Sequence, residues 1–323
     1  MVCEDGGVTQ AAIPTTIPHG RTAQRLEWRF LPPHIRKLVE QHIGSPVVEA
    51  ESQRSGFTPG FASVLSCADG SRHFVKAASV KAQAPFATAY REEARKLAAL
   101  PPGTPAPRLQ WVHDDDWVVL GLAYVEARNP GRPWRADDLT RCLDALEKVA
   151  DLLSPAPAGL RLDGFAAEFA ELPGYWDRVA ELYPGQPHLA EAAALAAGFA
   201  EVTAGDTLVH TDVRDDNVLV CADGRTLFCD WNWPVVGAPW IDTVMALVGP
   251  RGDGLDVEQV LGERRLTRDV PAEHVDRLLA LLCGYCLRHA AEPVPPTSPW
   301  LREAQRWQGE VLWAWLTERR SWA

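Results

Sequence analysis

The rhythm of apolar positions changes partway along the chain. Up to about residue 126 they alternate or come in short blocks, and from about 136 they recur every three or four residues. In the first part, PHIRKLVEQHIG (33–44) has helical spacing and stops on Gly44. Three β-like runs follow, SPVVEAESQ, GFASVLSCADG and SRHFVKAAS, with the ADG at 68–70 a hairpin signal between the second and third. The spacing predicts a helix over 82–101, ended by Pro101 and Pro102, and then two strands around the acidic turn Asp114 to Asp116. Residues 46–126 therefore predict five antiparallel strands with one helix inserted after the third. Beyond them, amphipathic helices are predicted over 136–153, 163–182, 187–204, 271–290 and 297–319. They are interrupted by the strand-like DTLVH and NVLVCADGRTLFCDW, and the Pro-rich 291–300 is a bend between the last two. The expected architecture is α+β in two lobes with a cleft between them, where ligands usually bind. Residues 29–126 form the first lobe and 127–323 the second, after a loosely ordered polar segment at 1–28.

Composition narrows the partners. The 323 residues allow one large or two moderate domains, and a net charge of −11 argues against nucleic acid or an anionic membrane as partner. That charge is compatible with a cationic substrate. No apolar run reaches ~18 residues and the N-terminus has neither a basic nor an apolar leader region, so a cytoplasmic monomer or homodimer is expected. Seven cysteines, Cys3, Cys67, Cys142, Cys221, Cys229, Cys283 and Cys286, are an odd number scattered through a long chain, the pattern of reduced thiols. The CGYC at 283–286 lies in an apolar helical run and reads as core thiols.

The chemistry concentrates in DTLVHTDVRDDN (206–217) and LFCDWNW (227–233). Phosphoryl transfer from a nucleotide needs Mg²⁺ to bridge phosphates and a carboxylate aligned with the acceptor hydroxyl. Asp212 can accept the acceptor's proton, while Asn217 and Asp230 offer the hard oxygen ligands that Mg²⁺ prefers. The hairpin signalled by ADGR between Asn217 and Asp230 folds the chain back and brings both together. Asx caps of an ordinary turn are the bland alternative.

His210-x-Asp212-x4-Asn217, followed by a hairpin and Asp230, resembles the catalytic loop and metal-binding Asp of the aminoglycoside phosphotransferase and choline kinase family, within the protein-kinase-like superfamily. The downstream GAPWIDTVMAL is similar to that family too. The resemblance implies a two-lobe protein-kinase-like fold, ATP or GTP as phosphoryl donor, and Mg²⁺. It covers roughly 33–320, with specific motifs in 55–93 and 206–242. It further implies that backbone amides near Gly56 and Thr58 in SGFTPGFASV approach phosphates, and that Lys76 in RHFVKAA takes the α- and β-phosphates. That lysine is held by Glu92 or Glu93, and Glu93 is favoured because it precedes Leu97 and Leu100 by four and seven residues on the inward face. The hinge falls near 123–128, where the backbone of Tyr124, Val125 and Glu126 would meet a purine edge. Arg214 would either reach the transferring phosphoryl group or pair with Asp215 or Asp216. Thr211 stands where many relatives have Gly, and Trp231 and Asn232 follow Asp230 where protein kinases have Gly. Trp231 or Trp233 would shape the acceptor pocket, and Asp242 would brace the loop.

The acceptor is a hydroxylated small molecule whose identity stays open. An antibiotic of aminoglycoside, nucleoside, macrolide or peptide type leads, with choline, an amino alcohol or a sugar as the metabolic alternative and a silent kinase-like binding protein third. Glu168, Glu171, Asp177 and Glu181 would attract an aminated substrate, or else form a solvated helix face. Most of the 13 tryptophans, among them Trp134, Trp176, Trp300, Trp307, Trp313 and Trp315, read as core.

Overall fold

The computed structural model describes residues 11–322. Cys3 and the first ten residues of the segment expected to be loosely ordered lie outside it. Pro33 opens α1 (Pro33–Ile43), where its missing N–H costs nothing, and Gly44 closes it in the left-handed region with φ 85°. β1 (Val47–Ser52), β2 (Phe61–Cys67) and β3 (Arg72–Ser79) follow, then α2 (Ala84–Ala99), β4 (Leu109–Asp114) and β5 (Trp117–Ala123). These strands form the expected antiparallel five-stranded sheet, in the order β1-β2-β3-β5-β4.

Strand alternation decides what each face carries. Phe61, Leu65, Val75, Ala77 and Val119 turn to one side and form a small core with Leu31, Ile35 and Val39 around α1. Their neighbours necessarily turn the other way. Ala78, Val118, Leu120 and Leu122 join Tyr90, Ala94 and Leu97 of α2 in the main core. Lys76, between Val75 and Ala77, is thereby aimed at the α2 side, toward the second lobe.

The second lobe begins with β6 (Ala127–Arg128) and α3 (Ala136–Leu152), then α4 (Phe165–Glu168), α5 (Tyr175–Leu182), α6 (Leu189–Ala197), α7 (Phe199–Val202) and β7 (Thr207–Val209). A hairpin of β8 (Val218–Cys221) and β9 (Thr226–Phe228) leads to β10 (Val235–Gly237), α8 (Ile241–Ala246), α9 (Val248–Gly252), α10 (Val257–Glu263), α11 (Ala272–Ala290) and α12 (Leu301–Arg320). Two of the predicted helices are broken. The 163–182 stretch is split by a tight turn at Leu172–Gly174, where Pro173 and Gly174 interrupt the pattern. The 187–204 stretch is split at Gly198, which Arg277 approaches so closely that a Cβ would lie 2.9 Å from its guanidinium. The last helix starts at Leu301, after Pro299, rather than at 297. β6 and β10 are two and three residues long, too short for a periodic signal.

Residues 11–27 form neither helix nor strand, yet they are tied to both lobes. Ile13 N–H donates to Gly252 O and Ile13 O accepts from Trp307 Nε1, both at 2.8 Å. Thr22 and Ala23 N–H both donate to Arg54 O at 3.0 Å. Cys283 and Cys286 are buried in α11, and burial pushes the Cys286 thiol up to about 12, as expected of core thiols. Among the described residues, no helix is long and apolar enough to cross a membrane.

Candidate functional site

The loop after β7 is bent by its own residues. Thr211 has φ 63°, a left-handed conformation that a β-branched residue resists, and Asp230 has φ 63° as well. Thr211 is held there by three bonds. Asp242, at the start of α8, accepts from His210 N–H at 2.6 Å and from Thr211 N–H at 2.9 Å, and Thr211 Oγ1 donates to Trp233 O at 2.8 Å. Burial raises the Asp242 carboxyl above its ordinary value, and the two backbone bonds oppose that rise. This is the brace expected of Asp242, the second residue of α8.

His210 is buried beneath the loop, edge-on to Trp231 with ring centroids 4.7 Å apart. Its Nε2 donates to Cys229 O at 2.9 Å, and its Nδ1 accepts from Asp212 N–H at 3.3 Å. A ring with one donating and one accepting nitrogen is neutral, in keeping with burial lowering its pKa. His210 thus links the segment carrying Asp212 to the segment carrying Asp230. Asn217 closes the loop, its amide nitrogen donating to Asp212 O at 2.9 Å and Oδ2 at 2.8 Å. The hairpin works as expected: Val218 pairs with Phe228 and Cys229 N–H donates to Asn217 O, so Asn217 and Asp230, the next residue after Cys229, come to one end.

Across the cleft, Lys76 Nζ donates to both Glu93 oxygens at 2.8 and 2.9 Å and also bonds Asp230 Oδ1. Glu93 is the partner; Glu92 pairs on the surface with Arg95 instead. Burial lifts Glu93 above its ordinary value against the pull of Lys76, whereas burial of Asp230 is overcome by the Lys76 charge, which holds it low. Lys76 itself is raised, the two carboxylates outweighing its burial.

Two cavities meet at this cluster. One, of about 250 Å³, lies between the lobes and is lined by Gly56, Lys76, Tyr124, Val125, Asn217 and Asp230 among others. The second, of about 510 Å³, is lined by Asp212, Arg214, Asp230 and largely apolar residues of the second lobe. Asp230 lines both cavities, Asn217 only the first and Asp212 only the second.

Some expected residues fall elsewhere. Thr58 lines the second cavity, not the one that holds Gly56, because the turn passes between the two. Glu126 does not line the inter-lobe cavity; its carbonyl accepts from Ala222 N–H at 3.3 Å. Arg214 forks onto both Asp216 oxygens at 3.0 Å and also bonds Asp212. Asp215 is taken by Arg132 at 2.7 and 2.8 Å, so the pairing offered by sequence resolves to Asp216. Trp231 is fully buried and lines the first cavity, so the aromatic beside the second is Trp233, 59% exposed. Of the acidic residues considered for an aminated substrate, Glu168 lines that cavity and Glu171, Asp177 and Glu181 do not.

Other residues carried no sequence signal. Asn129 Nδ2 donates to the carbonyls of Asp215, Asp216 and Val218 at 2.9 to 3.2 Å and locks the loop from outside any motif. Tyr90 is buried beneath Gly60, where a Cβ would sit 2.4 Å from its hydroxyl. Phe165, Phe169 and Leu281 of the second cavity looked like ordinary core in the helical pattern.

No protein-family model matches the chain, and no curated protein matches it in sequence. Solved structures do share its fold. A macrolide 2'-phosphotransferase from Brachybacterium faecium superposes with a TM-score of 0.60 at 15% identity, over 87% of this chain and 98% of the other. A spectinomycin phosphotransferase in complex with ADP and spectinomycin gives 0.57 at 13%, over 90% and 99%. A choline kinase from Streptococcus pneumoniae gives 0.56 at 14%, over 87% and 99%. The chain therefore has the two-lobe, kinase-like α+β fold of these phosphotransferases.

Proposed function

We propose that the chain transfers the γ-phosphoryl group of ATP or GTP to a hydroxyl of a small molecule. One observation carries this reading: Asp230 stands where two cavities meet, with Lys76 and Asn217 on one side and Asp212 on the other. A donor between the lobes and an acceptor in the second cavity would face each other across that carboxylate. The donor set suits Mg²⁺, because Asn217 spends its amide nitrogen on Asp212 and keeps its carbonyl oxygen, and Asp230 has a second carboxylate oxygen beyond the one on Lys76. Asn217 and Asp230 would hold the metal, which when bound neutralises phosphate charge.

Asp212 would orient the acceptor hydroxyl and take its proton as the oxygen attacks. The Asn217 bond to its Oδ2 fixes the carboxylate for that task. Arg214, held by Asp212 and Asp216 beside the same cavity, is placed to offset charge on the transferring group. Lys76, fixed by Glu93, would hold the inner phosphates, Gly56 would allow a close approach of backbone to phosphate, and the backbone at Tyr124 and Val125 would meet the base.

The acceptor cavity favours a neutral, largely apolar molecule. Its walls include Phe165, Phe169, Trp233, Leu281 and Leu282, while Glu168 is its one carboxylate outside the catalytic cluster. An antibiotic of that character, with the protein acting in resistance or self-protection, fits best; choline or an amino alcohol, whose ammonium calls for an anionic site, fits less well. Nucleotide consumption against a panel of hydroxylated antibiotics and metabolites tests it, with Asp212→Ala as control. That variant should lose turnover and keep nucleotide affinity, whereas Asp230→Ala should weaken both. Wild-type turnover in Asp212→Ala would overturn the assignment.

A further inference from the structure

Arg25 belongs to the N-terminal segment, ahead of every motif discussed so far, and yet it lines the inter-lobe cavity with Lys76, Gly56 and Asp230. Four bonds hold its neighbourhood in place. Thr22 Oγ1 donates to Gly56 O at 2.6 Å, Thr22 and Ala23 N–H donate to Arg54 O, and Gln24 N–H donates to Thr297 O at 3.1 Å. Residues 22–25 are thus clamped onto the turn between β1 and β2. The guanidinium lies over that turn: Nη2 donates to Ser55 O at 2.8 Å and comes within 3.3 Å of where a Cβ on Gly56 would stand.

The other cations of this cavity are already committed. Lys76 is shared by Glu93 and Asp230, Arg128 is bidentate to Asp138 at 2.7 and 2.8 Å, and Arg72 stacks on Tyr124 at 4.0 Å. Among the described residues, Arg25 has no carboxylate partner and its buried Nε has no hydrogen-bond partner. A buried donor left unpaired is costly, and on the wall of a cavity a ligand can complete it. Its charge nonetheless reaches the cluster, since it helps to lower both Glu93 and Asp230.

Building on the nucleotide reading above, we propose that Arg25 is a phosphate-binding residue, its guanidinium donating to the phosphate oxygens of the bound nucleoside triphosphate from above the β1–β2 turn. A fork of planar N–H donors suits phosphate better than a point charge would. The segment at 11–27 then forms part of the donor site and joins the phosphate turn to the second lobe.

Calorimetric titration of the full-length protein with adenosine, ADP and Mg·ATP tests this, using wild type, Arg25→Gln and Arg25→Lys, or with the guanine series if GTP is the donor. Losing a charge-assisted bond to phosphate should weaken ADP and Mg·ATP by about 10- to 100-fold in Arg25→Gln and leave the nucleoside within about twofold. Arg25→Lys should recover part of the loss. Unchanged ADP affinity in Arg25→Gln, or equal losses for nucleoside and ADP, would overturn the proposal, the second outcome marking a merely structural segment. A wild type that binds neither ATP nor GTP would overturn the nucleotide reading itself, and the role of Arg25 with it.

Discussion

Removing the positive charge at Lys76 should destabilise the fold far more than removing its partner. Lys76 and Glu93 are 5% and 1% exposed, so solvent screens their interaction little. Lys76→Met would leave the Glu93 carboxylate buried with no cation bonded to it and facing Asp230. Breaking a buried pair in this way costs about 3–5 kcal/mol, a large share of the roughly 5–15 kcal/mol that stabilises a domain. Glu93→Gln is milder, about 1–2 kcal/mol, because Lys76 keeps Asp230. In the double variant the stranded charge is gone, so it should be more stable than Lys76→Met alone, a departure from additivity well above the ~0.5 kcal/mol of independent sites. The sign of the pH dependence follows. Burial already raises the Glu93 carboxyl, and loss of Lys76 takes away the main force opposing that rise. A carboxyl raised by folding adds stability below its ordinary value of 4.5 and loses it as pH climbs through the raised one. The deficit of Lys76→Met should therefore shrink as pH falls from about 8 towards about 5. Urea unfolding followed by tryptophan fluorescence at several pH values measures all of this. Lys76→Met within about 1 kcal/mol of wild type, or a double variant equal to the sum of the singles, would refute the reasoning.

Three other outcomes are expected. Nucleotide affinity should drop when a chelator removes Mg²⁺, because Lys76 is already shared by two carboxylates and cannot alone balance a triphosphate; equal affinity with and without chelator contradicts this. Gly205→Ala should cost about 1–3 kcal/mol and lower turnover, since its Cβ would fall 2.4 Å from Gly237 O, backbone of the strand paired with β7, and an unshifted urea midpoint would count against it. If the acceptor is neutral, turnover corrected for Mg·ATP binding should change little as salt shortens the Debye length from about 10 to about 3 Å, whereas a steep residual slope would restore a cationic acceptor.

The sequence disclosed those parts of the molecule whose signals are local. The five-strand lobe was legible because alternation and turn residues are short-range, and the same alternation aimed Lys76 and, at helical period, Glu93. Asn217 and Asp230 were legible as a pair because a hairpin separates them. Contacts made across the fold left no such trace. Arg25 and Asn129 reach the site from segments with no periodic pattern, and only tertiary structure brings them there. Thr58 turns to the second cavity and the Glu126 carbonyl to Ala222, since a motif gives the path of the chain without the direction of each group. The walls of the second cavity were hidden for a plain reason: an apolar residue lining a cavity and one filling a core look alike in a helical pattern.

The hairpin between Asn217 and Asp230 also separates chain length from geometry. Register fixes both ends, with Val218 opposite Phe228 and Cys229 N–H donating to Asn217 O at 3.0 Å, while residues 222–225 at the far end are all exposed. Residues added at that tip would lengthen the spacer without moving either side chain. A single residue deleted within β8 would instead reverse which face each side chain presents and pull the pair apart. The distance along the sequence between the two groups is thus free to drift over evolution, and a peptide tag or fluorescent reporter grafted at Asp223–Gly224 has a place in the second lobe that leaves both groups where they are.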